Sequence, residues 1–253
     1  MRVVAGLCVT LLLAACHPNG EDTGDTGDTG DTGDTGDTGD TGDTGVSVPL
    51  EGYGAISGDC GVLDEGEWGA SDPFFFRNAI TFDTAFDPIL LSEGGQEVIE
   101  DDNLGGSSIN SEAMAYEMLY RCELAVLLLT EGEVNYDNAG GKKTDLVLDI
   151  DSRRIGVSVT RAVEWPRDDP YTLEDAQDLL SKKLGDVLLS SENVSESDAW
   201  ERQLLSVLAY TEEHAARLQE AWATQALDAV RANTGVMVTA TGDGDAFIYE
   251  NEW

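Results

Sequence analysis

The sequence predicts an α/β domain, a mixed sheet flanked by helices, that begins at about residue 46. Three observations support this fold class. Two neighbouring segments, 144–150 and 155–160, alternate apolar and polar residues as half-buried strands do. Helical patterns follow the capping residues Thr172 and Thr211. The order of predicted elements, namely helix, three strands, helix, strand, helix and two strands, is typical of a layered domain with a mixed sheet.

The first part of this domain, residues 46–107, is predicted to be an irregular N-terminal extension that wraps the core. It is rich in Gly, Asp and Pro, and its compact apolar runs lie at 74–76 and 80–86. Short strands are therefore the regular structure that we expect there.

The core is predicted to span residues 108–253 and to start with a helix and three strands. Apolar residues recur at helical spacing over 111–124, with Ser111 as the candidate cap, and a strand-like run follows at 125–134. Because a tight turn separates the two alternating segments, 144–150 and 155–160, we expect them to pair as an antiparallel hairpin.

The second half of the core begins with a helix that Thr172 caps. Its apolar residues share one face, and Gly185 is predicted to end it. The remaining predictions are a short strand at 186–190, a strand at 203–210, a helix from Thr211 to about Ala232, and a terminal hairpin of strands 236–240 and 246–249 around a turn at 242–245.

The charge of the chain excludes a general nucleic-acid surface. Its 253 residues include 14 Lys and Arg against 50 Asp and Glu, a formal net charge of -36, whereas phosphate binding depends on basic side chains. Anionic lipid headgroups would also repel the protein. Two histidines in all exclude a site built on a histidine cluster.

The N-terminal residues 1–15 are predicted to be a lipoprotein signal peptide. Arg2 precedes an uncharged run to Ala15 that is shorter than the roughly 20 residues of a membrane-spanning helix. Leu13-Ala14-Ala15-Cys16 resembles the bacterial lipobox, which implies lipidation of Cys16. The alternative is an ordinary secretory signal with a coincidental cysteine. His17, rather than an aspartate, after Cys16 favours the outer membrane over the inner one.

Eight consecutive Asp-Thr-Gly triplets occupy residues 22–45. The same tripeptide marks aspartic proteases, in which it lies between apolar strands. In residues 22–45 the triplets follow one another without an apolar residue, which argues against a protease. A calcium-binding aspartate ladder is a second alternative, with carboxylates that are sparse for that role. The composition favours a disordered spacer, residues 16–45 with the lipidated cysteine, that spans about 30 Å as a flexible coil.

Cys60 and Cys122 are the cysteines that remain after processing, because Cys8 leaves with the signal and Cys16 is lipidated. An oxidising compartment makes a disulfide between them plausible. Without nearby histidines the two cysteines do not form a zinc site.

The predicted element order over residues 108–190, with Asp145 opening a strand, resembles the core of the PD-(D/E)XK nuclease superfamily. The resemblance implies a restriction-endonuclease-like fold. In that family a strand aspartate and a Glu-X-Lys on the next strand face one site. The carboxylates hold Mg²⁺, and the lysine helps to orient the attacking water.

The resemblance assigns the strand aspartate to Asp145, and Asp149, four positions on, is expected on the same face. Ser158-Val159-Thr160 stands in the place of Glu-X-Lys. Ser158 and Thr160 are expected to project from the same side of the strand, as the Glu and Lys of the motif do. Their hydroxyls, however, replace neither a carboxylate nor an ammonium.

Three further residues are candidates to complete the nuclease-like site. Glu117 on the preceding helix corresponds to the glutamate that the family often contributes from that helix. Lys182 or Lys183 would serve as a lysine that has moved to another element. An active site requires such replacements, so the resemblance favours a degenerate, inactive core.

Eight basic residues fall between Lys142 and Lys183 and form a candidate site for an anionic ligand or partner. The alternative is local neutralisation of an acidic surface. The anion-binding candidates are Lys142, Lys143, Arg153, Arg154 and Arg161; the hairpin is expected to bring the first four to nearby strand ends. His214 is expected to be a partly buried helix residue rather than a general base.

These observations predict a membrane-anchored lipoprotein whose nuclease-like domain serves binding or scaffolding without catalysis. The expected partners are the membrane, through the lipid, and an unknown protein or anionic molecule; nucleic acid is disfavoured. No cofactor is expected. Two alternatives remain: an active metal-dependent nuclease or phosphodiesterase that uses Asp145, Asp149 and Mg²⁺, and a purely structural surface protein.

Overall fold

Among the residues that the computed structural model describes (48–50, 53–101, 108–242 and 245–250), eight strands form one mixed sheet. The strands are β1 Val48–Leu50, β2 Gly54–Gly58, β3 Phe74–Phe82, β4 Val126–Thr130, β5 Leu146–Ile150, β6 Arg153–Ala162, β7 Arg202–Ala209 and β8 Gly235–Ala240. Their order across the sheet is β1-β2-β3-β8-β7-β6-β5-β4. The central strands β3, β8, β7 and β6 are parallel, and the outer pairs are antiparallel.

Helices cover both faces of the sheet. They are α1 Glu65–Gly69, α2 Glu93–Glu100, α3 Ile109–Glu123, α4 Leu173–Asn193, α5 Glu212–Trp222, α6 Asp228–Arg231 and α7 Ala246–Glu250, with 3-10 turns at Pro88–Leu90 and Gln225–Leu227. On the α3 face, side chains of α1, α2, α3 and α7 pack on the sheet. On the α4 face, α4 and α5 do so.

This architecture confirms the predicted α/β fold with a mixed sheet between helices. From α3 to β7 the chain forms a helix, three antiparallel strands, a crossover helix and a parallel strand. That is the element order on which the nuclease-like resemblance depends. The β5–β6 hairpin pairs as expected, with Leu146 opposite Val157.

The N-terminal extension contains short strands, as expected, but β2 and β3 continue the sheet instead of wrapping the core. Phe74 and Phe76 point to the α3 face because they alternate along β3, which pairs with β8. Two contacts tie the extension to the core. A disulfide joins Cys60 to Cys122 in α3, and the buried guanidinium of Arg202 donates to the carbonyl oxygens of Glu67, Ala70 and Asp72.

Helix α4 runs two turns beyond its predicted end, so the expected strand at 186–190 is wrong. Gly185 has open space around its Cα, and a glycine there weakens a helix only slightly. Val187 and Ser190 continue the buried side of α4. The predicted cap is correct: the Thr172 side chain accepts the Asp175 N–H in a capping box.

Other boundaries also differ. Helix α3 starts at Ile109, so Ser108 rather than Ser111 is its N-cap residue, and β4 is shorter than the predicted run. Helix α5 ends at Trp222 instead of Ala232, and the Arg231 guanidinium donates to the carbonyl oxygens of Trp222 and Thr224 at that end.

The predicted terminal hairpin is wrong, because residues 246–250 form helix α7 rather than a strand. Phe247 of α7 stacks on Phe86 with ring centroids 4.0 Å apart, which fixes the segment on the α3 face.

Part of the predicted turn, residues 243–244, lies outside the described residues. So do the signal peptide, Cys16 and the triplet repeat. Within the described ranges, none of the helices combines the length and apolar character needed to cross a bilayer.

Candidate functional site

The candidate site lies in the carboxyl-terminal half of the parallel strands. The antiparallel strand β5 begins opposite Val157 of β6, whereas β6 continues to Ala162 and β7 to Ala209. Open α/β sheets bind their ligands outside this end of the strands. Asp145 immediately precedes β5.

The Asp145 carboxylate is held by the backbone of the neighbouring strand. Its Oδ2 accepts the Val159 N–H at 2.6 Å, and the Asp145 N–H donates to the Val157 carbonyl at 3.1 Å. Burial raises the pKa of Asp145 to about 6, although the Val159 N–H and the positive charge of Lys183 act in the opposite direction. Asp145 therefore fastens the start of β5 to β6.

Ser158 and Thr160 lie on the α4 face of β6. Val157 and Val159 belong to the core under α3, so strand alternation puts the two hydroxyl residues on the opposite side. Ser158 is buried and Thr160 is half-buried. The register that the resemblance requires is therefore present, without the charges of Glu-X-Lys.

Asp149 lies at the other end of β5. Its Oδ1 accepts the Ser152 N–H at 3.0 Å and so stabilises the hairpin turn, in which Asp151 and Ser152 have φ of 53° and 63°. Four residues of strand separate Asp149 from Asp145 by about 13 Å. Since Mg²⁺ needs each ligand at about 2.1 Å, these two carboxylates cannot hold the same ion.

Glu117 is buried in the contact between α3 and α2. Its Oε1 accepts the N–H of Ser92 at 2.7 Å and the Ser92 hydroxyl at 2.5 Å, and its Oε2 lies 3.6 Å from Arg121 Nε. Ser92 is the N-cap of α2. Glu117 therefore fixes α2 on α3.

The carboxylate that α3 directs toward Asp145 belongs to Glu112, which the sequence analysis missed. Glu112 lies in the first turn of α3, is buried and accepts a hydrogen bond from the Ser108 hydroxyl at 2.7 Å. Burial raises its pKa to about 7, and the charge of Asp145 adds to this shift. No sequence signal singles out Glu112, because the side of α3 that meets β5 is decided by how the helix packs on the sheet.

Neither candidate lysine forms an ion pair with Asp145 among the described residues. Lys183 is half-buried on α4 and close enough for its charge to lower the pKa of Asp145. Lys182 is exposed and lines a cleft beside the end of β6. The lysine of the family motif thus has no counterpart in contact with the strand aspartate.

The predicted anion-binding residues do not converge on one surface. Lys142 and Lys143 precede β5, whereas Arg153 and Arg154 follow it, so the hairpin holds the two pairs at opposite ends of a strand. Each residue contacts a partner within the domain. The contacts are Lys142 with Asp186 (2.9 Å), Lys143 over the Tyr136 ring (5.7 Å), Arg153 with Glu201 (3.2 Å), Arg154 with the Ser197 carbonyl (3.4 Å) and Arg161 with the Ile248 carbonyl (2.9 Å).

His214 is buried in the first turn of α5, which follows β7. Its Nδ1 lies 2.7 Å from the Thr211 hydroxyl, and its ring stacks on Tyr171 with centroids 4.6 Å apart. Burial lowers the pKa of His214, so the ring is neutral at physiological pH.

In the described part of the chain, no three His, Cys, Asp or Glu side chains are grouped as ligands of a metal ion.

No protein-family model matches the chain. The AAC-rich mRNA clone AAC4 protein of Dictyostelium discoideum is 41% identical over 124 residues, which are 47% of this chain and 18% of that protein. This chain thus spans less than a fifth of the length of the Dictyostelium protein. The chain is also similar to the structure of Pyrococcus furiosus SfsA in complex with Ca²⁺. The match covers 54% of this chain and 56% of the SfsA chain, with 14% identity and a TM-score of 0.24. At that score the likeness supports no conclusion about fold or activity.

The buried Glu112 predicts a specific pH dependence of stability. Its pKa is higher in the folded chain than the ordinary 4.5, so the folded state binds the proton more tightly. The stability that this proton provides is complete below about pH 4.5 and is lost as the pH rises through 7.

We therefore expect Glu112→Gln to raise the melting temperature at about pH 8 and to leave it unchanged at about pH 4, measured by circular dichroism. Glutamine keeps the oxygen that accepts the Ser108 hydroxyl. Glu196→Gln, an exposed change in the turn after α4, is the control and should have no effect at either pH. A melting temperature that Glu112→Gln lowers at about pH 8 would show that the ionised carboxylate stabilises the fold.

Proposed function

We propose that the protein is a lipid-anchored lipoprotein of the cell envelope whose nuclease-like domain binds or scaffolds and does not cleave. The observation that carries the absence of cleavage is the hydrogen bond from the Val159 N–H to the Asp145 carboxylate. It gives the strand aspartate a structural partner at the position where the related enzymes hold a metal ion.

The surrounding chemistry supports the absence of cleavage. A phosphoryl-transfer site of this kind needs carboxylates for Mg²⁺ and a cation near the scissile phosphate. Asp149 stabilises the turn, Glu117 binds Ser92, and hydroxyls occupy the Glu-X-Lys positions. Glu112 and Glu131 are further carboxylates near Asp145, and carboxylates without a lysine in contact do not reproduce the family's site.

The domain's own charge opposes nucleic acid as a partner. From Val46 onward it carries 41 acidic and 13 basic residues, and the five anion-binding candidates all contact groups of the domain itself. Local neutralisation accounts for these contacts better than an anion site does. A partner that this surface attracts is neutral or cationic.

Membrane attachment is proposed from the N-terminal sequence. Leu13-Ala14-Ala15-Cys16 resembles a lipobox, and more than one acyl chain on Cys16 would give stable anchoring despite the negative charge. The triplet repeat would act as a spacer between the outer membrane and the domain.

The proposal predicts that the full-length chain, solubilised in detergent, cleaves neither linear nor supercoiled DNA with Mg²⁺ or Mn²⁺. Gel electrophoresis of the substrates gives the readout, with Asp145→Ala assayed in parallel to detect a contaminating nuclease. Metal-dependent cleavage by the wild-type chain that Asp145→Ala abolishes would establish the active-nuclease alternative instead.

Anchoring is tested separately by Cys16→Ala, which removes the acceptor of the lipid. We expect the variant to move from the membrane fraction to the soluble fraction of a bacterial host, whereas the matched change Cys8→Ala leaves the protein in the membrane fraction. Unchanged fractionation of Cys16→Ala would contradict the lipid anchor and would leave the proposal about cleavage unaffected.

A further inference from the structure

The start of strand β4 exposes an apolar surface at one edge of the sheet. β4 is the last strand in the sheet order and pairs with β5 alone among the described strands. Leu124, Val126 and Leu128 expose 81%, 57% and 41% of their surface to solvent. We call these three residues the apolar ridge. Proteins usually place charged residues or proline at such an edge, because exposed apolar edges associate with other chains.

Leu124 has a backbone conformation that a leucine does not favour. It caps the end of α3 with a φ of 53°, in the left-handed region where glycine and asparagine are preferred. Its side chain is the most exposed of the ridge, so packing within the domain does little to offset the strain. Strained positions of this kind cluster at functional sites. The leucine therefore points to a contact with another molecule.

A groove of about 250 Å³ adjoins the apolar ridge, between α2, the end of α3 and the start of β4. The rings of Tyr116 and Tyr120 line it and stack on each other with centroids 6.0 Å apart. Val126 lines the groove as well. The ridge and the groove thus form one continuous surface that combines exposed apolar side chains with aromatic rings.

The rim of this groove is negatively charged. Glu93 and Glu97 are exposed, lie one turn apart on α2 and line the groove, and neither carboxylate forms a hydrogen bond or an ion pair within the described residues. Arg121 does not line the groove. Its Nε lies 3.6 Å from a carboxylate oxygen of Glu117, and its guanidinium lies over the Tyr120 ring. The side chain that best fits the groove is therefore a cation.

We propose that the apolar ridge and the groove bind a segment of another protein that carries apolar residues next to arginine or lysine. The apolar residues of the segment cover the ridge. One basic side chain enters the groove, where its charge meets Glu93 and Glu97 and its stem packs on the tyrosine rings. The far end of β4 takes no part, because the Glu133 carboxylate already accepts the Thr130 N–H.

Charge selects this occupant over a second copy of the chain. From Val46 onward the domain carries 41 acidic and 13 basic residues, and a second copy would bring its own Glu93 and Glu97 to the same surface. An anionic membrane surface would be repelled in the same way. The inference rests on the binding role proposed above and names the surface and the class of partner.

The test is fluorescence anisotropy of the full-length chain in detergent with the fluorescein-labelled peptide Leu-Arg-Val-Leu-Arg-Val. We expect saturable binding of one peptide per chain. A peptide with glutamate in place of arginine loses the charge match, and one with serine in place of leucine and valine loses the apolar contact. Each should bind at least about tenfold more weakly.

Charge variants of the chain locate the binding surface. Glu93→Gln with Glu97→Gln should weaken binding of the arginine peptide about tenfold, since two charge-assisted contacts are lost. The matched control, Glu192→Gln with Glu196→Gln, removes the same charge from exposed positions outside the groove and should leave the affinity unchanged.

Leu124→Asn separates binding from stability. Because asparagine suits the left-handed conformation, the variant should melt at the wild-type temperature or higher, yet it should bind the arginine peptide several-fold more weakly. Leu189→Asn changes an exposed leucine on α4 and should leave the affinity unchanged.

Three results overturn the proposal: no saturable binding, equal weakening in either control variant, or self-association in sedimentation velocity that Leu124→Asn abolishes. The last would assign the surface to a second copy of the chain. A failure of peptide binding leaves the outcome of the DNA cleavage assay unchanged, whereas DNA cleavage would contradict the proposed function without altering the peptide result.

Discussion

The arrangement of the candidate site depends on one hydrogen bond, from the Val159 N–H to the Asp145 carboxylate. This bond continues the β5–β6 pairing beyond Leu146 and Val157. It holds a buried carboxylate where the sheet meets α3 and α4. The charge of Asp145 raises the pKa of Glu112, and the charge of Lys183 lowers the pKa of Asp145 itself. The Asp145 carboxylate thus secures the hairpin.

The same use of acidic side chains recurs through the domain. Glu123 accepts the N–H groups of Gly61, Val62 and Leu63, and thereby reinforces the link that the disulfide makes between the extension and α3. Asp149 and Glu117 likewise accept backbone N–H groups, from Ser152 and Ser92. Bonds of carboxylates to backbone N–H groups are stronger than neutral ones. Part of the acidity of the domain thus contributes to its fold rather than to binding.

Sequence patterns predicted the parts of the fold that local chemistry determines. The β5–β6 hairpin follows from alternation, and the start of α4 follows from the Thr172 capping box. Long-range contacts decided the failures. Residues 246–249 alternate like a strand, but stacking of Phe247 on Phe86 fixes them as a helix. Gly185 has the appearance of a helix stop, yet the buried residues beyond it continue α4.

For the site, the sequence placed Asp145 at the start of a strand, and the structure has it immediately before β5; the sequence proposed Glu117 on α3, whereas Glu112 is the α3 carboxylate that interacts with Asp145. The two residues are about 7.5 Å apart along α3, and which of them faces β5 depends on how the helix lies on the sheet. The cleft beside α4 could not be predicted, because its lining joins a loop, a strand end and a helix.

The account's central claim is that Asp145 and its neighbours form a structural cluster rather than a metal centre. Electron paramagnetic resonance of Mn²⁺ tests it most directly, with the full-length wild-type chain compared with Asp145→Asn, which preserves an acceptor for the Val159 N–H. The account predicts the same Mn²⁺ spectrum and the same weak, salt-sensitive binding for both proteins. Stoichiometric binding of Mn²⁺ by the wild-type chain that the asparagine variant loses would contradict it.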